Sequence, residues 1–527
     1  MTSSSPKSKL EETVEAAKGT LGMSPREATA SGPDLQSGTV KAAEGVTAED
    51  VLSRQEQKRQ PMYVGRVKVH PKQVDGPIRR IKWAILAALL GVYYVVPWIR
   101  WDRGPGAPDQ AVLIDMPARR AYFFWIEIWP QEIYYLTLLL MIAAFALFLA
   151  TSLFGRVWCG FTCPQTVWTD LYMWVERLIE GDRSARIRLD KAPLSASKIR
   201  KRVTKHAIWL VIALLTGGAW VMYFNDAPTV VAEFFTGQAG AAVYFFVGLF
   251  TATTYLLAGW AREQVCTYMC PWPRFQAALV DEDSMIVSYQ TWRGEPRGAH
   301  RKGESWEGRG DCIDCKQCVA VCPTGIDIRD GFQLECIGCG LCVDACDSVM
   351  ERIGRPTRLI TFDSESNQRR KAQGEAPIYH FLRPRTLIYV ALLVVLSIGT
   401  LAALSTRSVV DLNVLHDRNP LFVQLSDGSI RNGYEVKLLN KQREEATYAL
   451  ALEGLPGAVI DVAGVEGEGD RTALLTAPPD RVATYRVFVS AAPDALAGAV
   501  NEIRFVVTNT VTGATARNDT VFRGPER

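Results

Sequence analysis

Histidine is scarce, at five residues in 527, and cysteine is missing from both ends of the chain: none precedes Cys159 and none follows Cys346. No Cys-x-x-Cys-His occurs, which excludes covalent c-type haem. His206 is the only histidine at an apolar run, so a haem held by two imidazoles inside a membrane lacks one ligand. His70, His300, His380 and His416 read as solvated or structural. Charge of one sign is not in excess either: a net charge of +3 gives no electrostatic footing for nucleic acid. Aromatics are missing before Tyr63, and the segment 1–60, rich in Ser, Ala, Gly, Glu and Lys, has no basic start followed by an apolar core. That excludes a secretory signal and reads as a disordered tail.

The cysteines that are there fall into two patterns. Eight of the twelve lie between Asp311 and Asp347. Cys312, Cys315, Cys318 and Cys322, followed by Pro323, have the C-x2-C-x2-C-x3-C-P spacing of a bacterial [4Fe–4S] ferredoxin. Cys336, Cys339, Cys342 and Cys346 repeat it, with Asp347 in place of the proline. In two-cluster ferredoxins the fourth cysteine of each run ligates the other cluster. One cluster is then expected on Cys312, Cys315, Cys318 and Cys346, the other on Cys336, Cys339, Cys342 and Cys322. Zinc sites built from one or two Cys pairs fit the double run poorly. Cluster thiolates need a reducing compartment, so this part is expected to face the cytoplasm.

Five apolar runs have membrane-spanning length, ~17–25 residues: approximately Trp83–Ile99, Ile133–Phe154, Ala207–Phe224, Ala241–Trp260 and Thr386–Leu404. They are apolar all round, unlike the striped helices of a soluble core. Lys and Arg between them set the orientation. There are eleven between Arg156 and Lys205, none between Asn225 and Gly240, and seventeen between Arg262 and Arg385. The charge bias therefore places the N-terminus and the cysteine-rich loop in the cytoplasm, and the chain beyond the fifth run outside. From Val409 onward short alternating segments separated by turns, such as Tyr434–Leu439 and Val482–Val489, read as an antiparallel sandwich of immunoglobulin type.

The remaining four cysteines form a repeat of their own. Arg156-Val-Trp-Cys159-Gly-Phe-Thr-Cys163-Pro164 follows the second run, and Arg262-Glu-Gln-Val-Cys266-Thr-Tyr-Met-Cys270-Pro271 follows the fourth. A proline at the first helical position is favourable, so Cys163 and Cys270 are expected at helix N-termini, where the dipole favours thiolate. Four soft ligands, with Met269 beside them, point to a metal or redox site near the membrane surface. Copper, a third cluster and a reversible disulfide all fit the residues. Asp170, Glu176 and Arg177, in the amphipathic stretch after Cys163, read as interfacial charges. The chain thus divides into a tail (1–60), a membrane region with four spans and the first C-x3-C-P (61–265), a cytoplasmic loop with the second C-x3-C-P and the ferredoxin-like insert (266–385), a fifth span (386–405) and a periplasmic immunoglobulin-like domain (406–527).

With these motifs and the stretch LHDRNPLFVQLSDGSIRNGYEVKLLNK (Leu415–Lys441), the chain from about Pro61 resembles the cytochrome c oxidase accessory family CcoG/FixG/RdxA, and more distantly the polyferredoxin-type NapH membrane proteins. The resemblance implies a multi-pass protein of the bacterial inner membrane that reduces Cu(II) to Cu(I) for assembly of a cbb3-type oxidase. Cys159, Cys163, Cys266 and Cys270 would be the copper-linked thiols, fed by the two clusters. The oxidase, its assembly factors and copper chaperones are the implied partners, with an electron donor unspecified. A quinol dehydrogenase and a non-catalytic copper chaperone or assembly scaffold are the alternatives.

Overall fold

The structure is a computed structural model that describes residues 68–104, 106–301, 303–464 and 471–525; the tail expected to be disordered lies outside the described residues. Five helices are long and apolar enough to cross a membrane: Pro77–Trp98, Pro130–Phe154, Ala196–Met222, Ala241–Ala261 and Pro384–Ser405. They are spans 1 to 5, and the chain is a multi-pass membrane protein.

Spans 1 and 3 begin earlier than the apolar runs, and for a physical reason. Several of their leading basic residues are buried and paired. Arg79 and Lys82 reach Asp170 at 2.7 and 3.3 Å, and Lys205 reaches Glu180 at 2.9 Å. The charges end the hydropathy run without ending the helix. Spans 3 and 4 pack closely enough that a Cβ on Gly217 would stand 2.9 Å from the Thr251 nitrogen. Spans 2 and 5 are joined by the Tyr135 hydroxyl, which donates to the Ala403 carbonyl at 2.9 Å.

The helix Pro164–Glu180, expected to lie at the interface, instead runs alongside span 3. Trp168 donates to Thr216, Tyr172 to the Trp209 carbonyl, and Glu176 and Glu180 meet Lys205. Asp170 and Glu176 are consequently 2% and 0% exposed, so the reading of them as interfacial charges is corrected: they are buried ion-pair centres. Burial would raise the Asp170 carboxyl, but Lys82 and Arg79 hold it below the usual carboxylate range.

Small elements occupy the connections. Strands β1 (Val112–Asp115), β2 (Arg120–Phe123) and β3 (Ile126–Ile128) form an antiparallel sheet between spans 1 and 2. The helix Ala227–Thr236, capped by Asp226, lies between spans 3 and 4. On the other side, β4 (Ile286–Tyr289) pairs with β5 (Ile360–Asp363) and brackets the cysteine-rich unit.

Beyond span 5 the chain forms a β-sandwich. Strands β6 (Val410–His416), β7 (Val423–Gln424), β8 (Ile430–Asn440), β10 (Val459–Val462) and β12 (Arg481–Ala491) make one sheet, ordered β10-β12-β8-β6 with β7 against β8. Strands β9 (Ala446–Glu453), β11 (Thr472–Ala477), β13 (Val500–Asn509) and β14 (Thr515–Arg523) make the other, ordered β11-β9-β13-β14. Alternate residues of β8 turn inward, the period-2 pattern of a half-buried strand. Tyr434, Leu438, Leu450 and Phe505 fill the space between the sheets. Glu132 at the start of span 2 grips the sandwich, with Arg407 at 2.7 Å and Lys441 at 3.0 Å.

Candidate functional site

Both C-x3-C-P motifs begin at the same backbone turn. Gly155 ends the span 2 helix at φ 58, ψ −122, and Arg262 ends span 4 at φ 47, ψ −115. Each stands four positions before the first cysteine of its motif. The internal repeat therefore aligns Gly155 with Arg262, and the two leading arginines are not equivalent. Arg262 points back into the bundle, to the Glu176 carboxylate at 2.9 Å and the Gly259 carbonyl at 2.8 Å. Arg156 points away, donating to the carbonyls of Leu334, of Cys336 at 3.0 Å and of Pro273 at 2.7 Å. One guanidinium thus ties the first motif to the cysteine-rich unit and to the helix after the second motif.

Cys159 lies on the short helix Val157–Phe161, and Cys163 is the N-cap of Pro164–Glu180, as expected from Pro164. Cys266 lies on a π-helical turn, Val265–Met269, and Cys270 precedes the helix Trp272–Leu279 by two residues. Cys159 is buried, Cys163 and Cys266 half-buried, Cys270 exposed. The Cys159 thiol donates to Oε1 of Gln276 at 3.1 Å, so the second motif's helix holds the first motif's sulfur. Burial pushes the Cys159 thiol up to about 12, and Cys163, Cys266 and Cys270 are close enough to add to the rise. Burial likewise pushes Cys266 up to about 12, with Cys163 and Cys270 adding. The fold brings all four thiols into one neighbourhood.

That neighbourhood abuts the cysteine-rich unit without a spacer. A Cβ on Gly160 would stand 2.8 Å from the Gly338 carbonyl oxygen and 2.9 Å from the Cys339 Cα. Glycine is required there by the approach of one backbone to another. Cys159, with Cys266 and Trp272 against it, shares a hydrophobic cluster with Ile337, Cys339 and Cys342. The unit is also locked to span 1. The Asp344 carboxylate accepts the Arg79 backbone N–H at 2.8 Å and that of Ile78 at 3.3 Å, capping the span from a neighbouring helix.

Within the unit the eight cysteines sort into two groups across the repeat. Burial pushes the Cys346 thiol up to about 12, with contributions from Cys318, Cys315 and Cys312. Burial raises Cys342 well above its ordinary value, with Cys339, Cys336, Cys322 and, least of these, Cys318 adding. Cys322, Cys336, Cys339 and Cys342 line one cavity, and Cys318 of the other group lines it too. Among the described residues no three His, Cys, Asp or Glu side chains converge as the ligands of a single ion do. Two runs of three cysteines, each with a fourth supplied by the other run, fit multi-iron clusters better than a mononuclear zinc.

Comparisons with known proteins agree with this layout. Residues 261–365 match a family described as a 4Fe-4S dicluster domain, 136–181 a 4Fe-4S binding domain, and 400–525 the Ig-like fold at the C-terminus of FixG. The chain is 51% identical over 460 residues to the nitrogen fixation protein FixG of Rhizobium meliloti (strain 1021), spanning 82% of this chain and 88% of that protein. It belongs to the FixG family. Two further FixG relatives come from Cereibacter sphaeroides. Protein RdxB is 47% identical over 469 residues (88% of this chain, 97% of that protein), and protein RdxA is 51% identical over 411 (77% and 87%). This FixG-family chain is an iron–sulfur redox protein with two iron–sulfur clusters.

Three contributors to the site escape sequence reading. Gln276 and Asp344 act across more than a hundred residues of chain, and Gly160 is legible only as the residue after Cys159 in one repeat; Thr267 replaces it in the other.

Proposed function

We propose that this chain is a membrane-bound cupric reductase serving the copper centre of a cbb3-type oxidase. One cluster would be held by Cys312, Cys315, Cys318 and Cys346, the other by Cys336, Cys339, Cys342 and Cys322. When bound, such clusters supply electrons one at a time, the stoichiometry that Cu(II) to Cu(I) requires. Cys159, Cys163, Cys266 and Cys270 receive the ion as substrate, and their thiolates favour the reduced form. A pair of thiolates suffices for Cu(I), so a wide group of four can pass the ion from pair to pair. The Lys and Arg bias of the loops orients the ferredoxin-like face to the cytoplasm and the sandwich to the periplasm. There the sandwich has a surface for the oxidase, its assembly factors or a copper carrier.

The observation that carries this reading is the seat of Cys159–Gly160 on Gly338–Cys339, backbone against backbone. Nothing intervenes between a ligand loop of one cluster and the first C-x3-C-P. The test is Cu(I) formation, followed with a Cu(I)-specific chromogenic chelator after anaerobic reduction of the full chain. Cu(I) should appear one for one with electrons stored. A chain that binds Cu(II) and leaves it oxidised is a chaperone or scaffold.

A further inference from the structure

The proposed reductase needs a source of electrons, and the membrane region holds a crevice beside the first C-x3-C-P. It measures about 410 Å³ and is lined by spans 1, 3 and 4 and by Pro164, Gln165 and Trp168 of the helix that Cys163 caps. Small-molecule sites run to ~300–1,000 Å³. Trp220 and Thr253, at one side, are exposed on helices that cross the membrane, so the crevice is reached from lipid.

Its two ends differ in chemistry. Toward Trp220 and Phe250 it is apolar and aromatic. Toward Pro164 it gathers polar groups with spare capacity. The Gln165 amide nitrogen donates to the carbonyls of Leu257 at 2.9 Å and Arg262 at 3.2 Å, and its oxygen accepts no hydrogen bond among the described residues. Thr254 makes no side-chain hydrogen bond among the described residues. Tyr93 and Trp168 meet edge to face, with centroids 5.3 Å apart, and wall this end with aromatic surface. A lipid-soluble ring that carries hydroxyls at one end and an isoprenoid tail at the other matches both halves.

We infer that this crevice binds a membrane quinol, with the ring at Gln165 and Thr254 and the tail passing Trp220 into lipid. The inference rests on the reductase reading only for the direction in which electrons flow. Oxidising the quinol to quinone breaks two O–H bonds. Two electrons leave beside Cys163, one for each cluster. The two protons pass to water at the polar end of the crevice; the Gln165 amide donates its own N–H to Thr169 at 3.2 Å, so it positions the ring and carries no proton. A second cavity of about 30 Å³, lined by Thr169, Glu263 and Lys82 among others, adjoins Thr169 and has room for a water.

The test uses the full chain in lipid nanodiscs with clusters intact, and decylubiquinone and decylubiquinol as probes. Decylubiquinone should quench tryptophan fluorescence saturably, and decylubiquinol should reduce the clusters, read by EPR. Thr254→Phe, which fills the polar end, should weaken quenching and slow reduction at least about tenfold, while dithionite still reduces the clusters fully. Gln165→Leu should do so to a lesser degree. Wild type that shows no saturable quenching, or Thr254→Phe that binds and is reduced like wild type, overturns the inference. Cu(II) oxidation of dithionite-reduced chain, measured on the same samples, separates the two readings. Its failure with quinol binding intact counts against copper, not against this site.

Discussion

Gly155 and Arg262 hold the same left-handed turn, φ 58 and φ 47, at the ends of spans 2 and 4. One copy of the repeat reaches it with a residue that has no Cβ. The other forces an arginine into it, at a cost of order 1–3 kcal/mol, and holds it there through the buried Glu176 carboxylate. Arg262→Ala loses the ion pair and keeps the strain, whereas Arg262→Gly loses the ion pair and releases the strain. Both variants should melt below wild type in detergent, with Arg262→Gly the more stable by about 1–2 kcal/mol. Equal stabilities would mean that the turn is not strained.

Gly160→Ala puts a methyl where 2.8 Å separates it from the Gly338 oxygen. The ligand loop must move away from Cys159. The expected result is a full complement of clusters with several-fold slower oxidation by Cu(II), measured by stopped-flow absorbance. An unchanged rate would show that electrons reach copper by another route.

Much of this was legible in the sequence, and what was not has a common cause. Apolar spans follow local rules, so hydropathy finds all five, and the spacing of Cys312 to Cys346 points to two clusters. The strands β8 to β14 emerge from alternation, within a few residues. Buried charge does not announce itself: Glu176 looks like any helix-surface carboxylate until Arg186, Lys205 and Arg262 converge on it. Strands of three or four residues, such as β3, are too short for a period. Contacts such as Cys159 with Gln276 depend on two motifs meeting in space, which the repeat suggested but no periodicity encodes.

Burial alone would raise the Glu176 carboxyl, but Arg262, Lys205 and Arg186 hold it well below its ordinary 4.5. A depressed folded-state value stabilises the fold above the unfolded value, and the contribution is lost as pH falls through the folded one. The melting temperature should therefore drop as pH is lowered below about 4.5. Glu176→Gln should flatten that drop and cost about 3–5 kcal/mol at neutral pH, because three cations lose a buried partner.

The thiols of Cys159 and Cys266 are pushed up to about 12 by burial. Each must give up its proton to bind metal, so affinity should rise with pH across the neutral range, by up to about tenfold per unit for each thiol used. Competition titrations with a Cu(I) chelator at several pH values give the slope. Cys159→Ser should reduce it by one proton, and a flat profile would exclude both thiols as ligands.

The most direct measurement is anaerobic rapid-freeze EPR of cluster-reduced chain mixed with stoichiometric Cu(II). It should be run on wild type and on the variant with Cys159, Cys163, Cys266 and Cys270 all replaced by Ser. In wild type the reduced-cluster and Cu(II) signals should decay together, one electron for one ion. In the variant both should persist. A variant that loses both signals as fast as wild type would contradict the assignment of these four thiols as the copper site.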